Sequence, residues 1–252
     1  MKLALAVVLF AASSWAADRP VVVLVSANAE WKPVRERFAG AAANQSPYGE
    51  WFIAQVDKRS VLFMHGGFGK VQAAASTQYA IDQFHPSLLV NLGTCGGFDG
   101  AISAGETLLV ERTIIYDLIE QMGDSQETID FYSTALDTRF AGAKLPKGSR
   151  RGLILSADRD IVAADVPMLK KRFKGVAADW ESGAIAFVAR ANHVPLFIVR
   201  EVTDVVRADG GDEFYGNDAA WQAGAKKAMN RLVDELPEWL ARWDAAPKDG
   251  GR

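Results

Sequence analysis

Two carboxylates in the last third of the chain, Glu181 and Asp204, stand where proton-transfer chemistry is usually done. The stretch 178–209 opens a helix with Asp179 and Glu181, continues as an apolar strand over 195–202, and stops abruptly at Asp204. In open α/β sheets, helix N-termini and the carboxyl ends of strands face one crevice, and ligands bind there. Glu30 is a third acid in such a place. It lies between the aliphatic run 21–25 and a helix expected over 31–38, with Pro33 tolerated in the first turn.

Other strand ends must supply the remaining walls. Strands over 51–56 and 61–65, joined as a hairpin across 57–60, lead into Gly66-Gly67-Phe68-Gly69 and then a helix. The buried strand 88–92 runs into Gly93-Thr94-Cys95-Gly96-Gly97. Glycines at strand–helix junctions let the backbone approach a ligand or another element. The spacing at 66–69 fits neither the dinucleotide fingerprint nor the Walker loop, so by itself a tight structural turn explains it better. Cys95, the single cysteine, reads as a small buried hydrophobe with no partner for an internal disulfide.

The rest of the chain reads as a strand over 105–116, a polar segment 117–150, a strand over 152–156 and a helix over 167–173. The polar segment contains a helix at 128–136 and is expected to be a mobile flap or an interface. A long helix over 212–243, broken near Pro237, closes the chain, and its Trp221, Trp239 and Trp243 read as core or interface anchors. Asp209 reads as a solvated loop residue and 247–252 as a frayed tail. Strands alternating with helices, with no second strand-rich block, indicate an α/β fold: one domain, a central mixed β-sheet flanked by helices.

Bulk composition excludes several classes. The chain of 252 residues is 49% apolar and 23% charged with a net charge of −3, so disorder is excluded and no basic stripe invites nucleic acid. Lys2, the apolar run 3–12 and the small residues Ser14 and Ala16 have the layout of a cleaved secretory signal over 1–16. The run is too short to span a membrane. The domain over 17–252 is accordingly expected to be secreted or periplasmic, with no membrane attachment after cleavage.

Four blocks in this order resemble the nucleoside phosphorylase and nucleosidase superfamily: Gly66-Gly-Phe-Gly-Lys70, Val90-Asn-Leu-Gly-Thr-Cys-Gly-Gly97, Ala178-Asp-Trp-Glu-Ser-Gly-Ala-Ile-Ala186 and Arg200-Glu-Val-Thr-Asp204. Within it, the chain is most similar to 5′-methylthioadenosine/S-adenosylhomocysteine nucleosidases. The resemblance implies cleavage of the bond between ribose and a purine in a homo-oligomer, usually a dimer, with no metal and no organic cofactor. It implies that Glu181 binds the ribose 2′- and 3′-hydroxyls with Trp180 packing on the sugar. Asp204, with Thr203 beside it, would protonate the purine, and Thr94 would line the ribose. Glu30 would activate the attacking water, although sliding the motif by one residue puts Trp31 there. Ile161 would read the base through its backbone, and Gly67 belongs to the substrate-binding turn.

The chemistry needs such groups. Glycosidic cleavage passes through an oxocarbenium-like state, so the leaving base must be protonated. A carboxylic acid donates near neutral pH only if its pKa is lifted, as desolvation at the end of an apolar strand would do for Asp204. Glu181, holding hydroxyls, is expected to stay ionised.

Two departures from the family pattern bear on the reaction. Arginines that hold phosphate in phosphorylases are replaced here by Asn91 and by Ser26-Ala-Asn-Ala, which favours hydrolysis over phosphorolysis. Asp160 stands where relatives place an aromatic that stacks on the purine, and an aspartate cannot stack. Phosphorolysis and a non-catalytic nucleoside-binding role on the same fold remain the alternatives.

Overall fold

The computed structural model describes residues 19–207 and 217–247. The signal reading of 1–16, Asp209 and the tail beyond 247 lie outside them. Among the described residues no helix is long and apolar enough to cross a membrane.

The aliphatic run becomes β1 (Val21–Val25), buried along its whole length, as a central strand covered on both faces must be. It pairs in parallel with β4 (Arg59–His65) on one side and β5 (Leu88–Phe98) on the other. Beyond β4 the sheet turns antiparallel through β3 (Gly49–Val56) to the short β2 (Asn44–Ser46). The β3–β4 hairpin is tighter than the sequence suggests: Arg59 and Ser60 already pair with Val56 and Gln55, leaving a turn in which Asp57 takes a positive φ.

On the other side the strands close on themselves. β5 pairs with β10 (Leu196–Val206), β10 with β6 (Thr107–Ile115), β6 with β8 (Ser149–Ser156), β8 with β9 (Ala177–Asp179), and β9 returns to Gly96 and Gly97 of β5. A two-residue strand, β7 (Thr134–Ala135), edges β6. The single α/β domain with a mixed sheet is thus observed. Helices cover both faces: α1 (Asn28–Arg37) and α6 (Asp218–Ala245) on one, α2 (Gly69–Phe84) and α5 (Ser182–Ala191) on the other, with α3 (Ser125–Tyr132) and α4 (Val166–Phe173) near the closed end.

Several sequence expectations change. β10 does not stop at Asp204: it runs on to Val206, paired with Phe98, and absorbs the irregularity as a bulge between Val202 and Asp204. α1 starts earlier than expected, so Pro33 lies inside it rather than in its first turn. α6 is unbroken through Pro237, because Leu232, Val233, Leu236, Trp239 and Leu240 are buried against the sheet. At ~1.5–3 kcal/mol for each buried side chain, that outweighs the ~3 kcal/mol an internal proline costs. The segment 117–150 is no bare flap, since it holds α3 and β7, and Arg190 ties α5 to the carbonyls of Phe131 and Ser133.

Candidate active site

The carboxyl ends of β1, β4, β5, β8, β9 and β10 converge on a cavity of about 650 Å³, a size suited to a small-molecule ligand. Glu30, Thr94, Ile161, Trp180, Glu181, Thr203 and Asp204 all line it. Gly67 does not. Its peptide is used structurally: its N–H donates to His65 Nδ1 at 3.0 Å and its carbonyl accepts from Ala27 N–H at 2.8 Å. From the same turn it is Phe68 that reaches the cavity, lying 4.7 Å from the Trp180 ring.

One end is built around buried charge. Glu30 projects from the first turn of α1 and accepts the Thr94 N–H, while Trp31 turns away to pack on Phe52. Of these two neighbours, Glu30 lines the cavity and Trp31 does not. Glu181, at the cap of α5, accepts the Gly69 N–H at 3.1 Å. Arg200 of β10, fully buried, pairs with Asp179 at 2.9 Å and donates to Asn91 Oδ1 at 2.7 Å and Ser182 Oγ at 3.1 Å. Ser156 Oγ donates to Asp179 at 2.6 Å and accepts the Gly183 N–H. Gly93 is bare for this reason: a Cβ there would collide with the Arg200 guanidinium and sit 3.2 Å from Glu30 Oε1.

Three buried carboxylates thus share one buried guanidinium, and the imbalance appears as raised proton affinity. Burial lifts the Glu30 carboxyl above its ordinary range, opposed chiefly by Arg200. Burial likewise pushes Glu181 up to about 8, with Asp179 and Glu30 adding to it against Arg200. In the empty cavity burial thus favours the protonated form of Glu181, since Asp179 has already taken Arg200; the ionised form expected of it belongs to the state in which hydroxyls donate to it.

The other end is shallower. Asp204 and Thr203 sit on the β10 bulge, half-buried, and Thr203 Oγ1 lies 2.5 Å from Asp204 Oδ1. Gly96 is bare so that two groups can meet over it: a Cβ there would fall 2.6 Å from Ile161 Cδ1 and 3.3 Å from Asp204 Oδ2. Arg159 and Asp160 are exposed. Trp221, from the first turn of α6, also lines the cavity and so is a wall of the site rather than a core anchor like Trp239.

The sequence names Arg200, Asp179, Asn91 and Trp221 without revealing the buried network of the first three or the place of Trp221 in the cavity wall. The available signal was Arg200 itself, a cation within the apolar stretch 196–202, where only a buried partner could tolerate it. Cys95 is buried and its thiol is pushed well above its ordinary range by that burial, which fits a packing role. Among the described residues no group of three or more His, Cys, Asp or Glu side chains is set to hold a metal ion.

The phosphorylase superfamily model matches residues 20–237. The chain belongs to the phosphorylase superfamily. Relatives of this superfamily member include the 5′-methylthioadenosine/S-adenosylhomocysteine nucleosidase of Halalkalibacterium halodurans, 30% identical over 182 residues that span 66% of this chain and 78% of the relative. The enzyme of the same name from Staphylococcus haemolyticus is 27% identical over 207 residues, 74% of this chain and 85% of its own. Among solved structures, the Arabidopsis thaliana 5′-methylthioadenosine nucleosidase aligns with a TM-score of 0.73 at 19% identity, covering 90% of this chain and 97% of that one. That likeness shows the superfamily fold.

Proposed function

We propose that the protein hydrolyses the N-glycosidic bond of a purine nucleoside related to methylthioadenosine or adenosylhomocysteine, releasing the free base. The observation that carries this reading is the convergence of Glu30, Glu181 and Asp204 on one cavity. Named nucleosidases among its relatives support it.

In this reading Asp204 protonates the departing base, with Thr203 orienting its carboxyl. Glu181 receives the two neighbouring ribose hydroxyls. Their hydrogen bonds favour the ionised carboxylate, so nucleoside binding releases the proton that burial holds there. Glu30, oriented by the Thr94 N–H, takes a proton from the water that attacks the sugar, and its raised proton affinity suits a general base. Trp180 and Phe68 form the apolar wall beside the sugar. Ile161 reads the base, and Trp221 lines the same cavity.

Hydrolysis is favoured over phosphorolysis because the cation beside Glu30 and Thr94, Arg200, is committed to Asp179 and Asn91. Base release from a nucleoside panel, with and without phosphate, tests this: release without phosphate is expected, and a strict need for phosphate would overturn it. We also infer a secreted or periplasmic location, from the run at 3–12, and a homodimer. Exposed Phe68, which lines the cavity, and Val71 in the first turn of α2 support the dimer; light scattering of the purified protein checks it.

A further inference from the structure

The first turn of α2 holds carboxylates from two different loops on adjacent amides. Gly69 N–H donates to Glu181 Oε1 at 3.1 Å, and Lys70 N–H donates to Asp158 Oδ1 at 2.7 Å. The Lys70 ammonium lies 3.8 Å from the other oxygen of Asp158 and pairs with Asp117. Asp117 in turn accepts the Asp158 backbone N–H at 3.1 Å. Gly69 is shaped for this arrangement: its φ is +75°, and a Cβ there would press to 3.0 Å from Asp158 Oδ1.

The segment 157–161 needs such a fastening. It lies outside any helix or strand, and its Asp158, Arg159 and Asp160 are exposed, so little apolar burial holds it. Yet Ile161 must sit over Gly96 beside Asp204. We propose that Lys70, Asp117 and Asp158 form a clasp that positions the base-reading segment, fixing it to the same helical turn that holds Glu181. One rigid element then sets the spacing between the base site and the sugar site. Asp158 and Lys70 are positioning residues, touching no reacting atom. The inference rests on the assignment of Ile161 to the base and of Glu181 to the sugar.

The test compares Asp158→Ala, Asp158→Asn and Lys70→Met with the unaltered protein, reading KM and kcat for methylthioadenosine, calorimetric binding of free adenine, and melting temperature. Losing the hydrogen bond and ion pair in Asp158→Ala should raise KM and weaken adenine binding about tenfold, with kcat changed less than about twofold. Asp158→Asn, which still accepts the Lys70 N–H, should recover most of that loss, and Lys70→Met should show a smaller shift in the same direction. A lower melting temperature with KM and adenine affinity unchanged would reduce the clasp to a structural brace and overturn the proposal. Adenine binding needs no turnover, so the two readings fail separately. If the unaltered protein cleaves no nucleoside but Asp158→Ala still weakens adenine binding, the proposed function falls and the clasp stands. If the unaltered protein binds no adenine, the clasp falls.

Discussion

The two ends of the cavity are made differently. At the sugar end Glu30, Glu181, Asp179 and Arg200 are buried, tied to one another or to backbone amides, and carried on strands or helix starts that belong to the core. At the base end Asp204 and Ile161 are half-buried, Arg159 and Asp160 face solvent, and an irregular segment is fastened by a clasp of charges. Breaking the buried Asp179–Arg200 pair of the first should therefore reach the fold, whereas changes at the exposed residues of the second should leave the core intact. Under the proposed reading, the rigid end holds the sugar and the attacking water, and the adaptable end meets the base.

The largest effects should come from the rigid end. Glu30→Gln keeps the shape but cannot take a proton from water, and turnover should fall roughly 10²–10⁴-fold with nucleoside binding retained. A loss confined to KM would move Glu30 to the binding machinery. Arg200→Met leaves Asp179 without its cation, and denaturant unfolding should report a loss of about 3–5 kcal/mol. A stable Arg200→Met protein would break the comparison, since its rigid end would not depend on that pair.

The proton on Glu181 gives a pH signature. The folded-state pKa of about 8 lies above the ordinary 4.5, so the associated stability is fully present below 4.5 and is lost as pH rises through about 8. Melting temperatures of the ligand-free protein should fall across that window, and Glu181→Gln should flatten the slope. Nucleoside affinity should move the opposite way, rising with pH toward about 8, because hydroxyl donors prefer the ionised form. The smallest expected effect is at the adaptable end: Asp160→Phe, by restoring a stacking face, should lower KM about tenfold with little change in kcat. An unchanged KM would indicate that Trp221 already supplies that face.

The same contrast explains what the sequence revealed. The runs 21–25 and 88–92 announced buried strands, and Glu30, Thr94, Glu181 and Asp204 were visible because acids and glycine turns at strand ends stand out against an apolar background. The roles of Arg200 and Asp179 were missed because they lie in their pairing across the sheet, which no local pattern encodes. β9 escaped notice because its three residues become a strand only between β8 and Gly96–Gly97 of β5. Pro237 misled for the opposite reason, since local propensity spoke for a break that tertiary burial overrides.

In the proposed reaction Asp204 delivers a proton to the departing purine while Glu181 holds the sugar. Asp204→Asn tests it most directly, with free-base release and nucleoside binding measured on the same preparation without phosphate. Release should fall by about 10²–10⁴-fold while the nucleoside dissociation constant changes little. Turnover at the unaltered rate, or a loss of binding that accounts for the whole loss of rate, would contradict it.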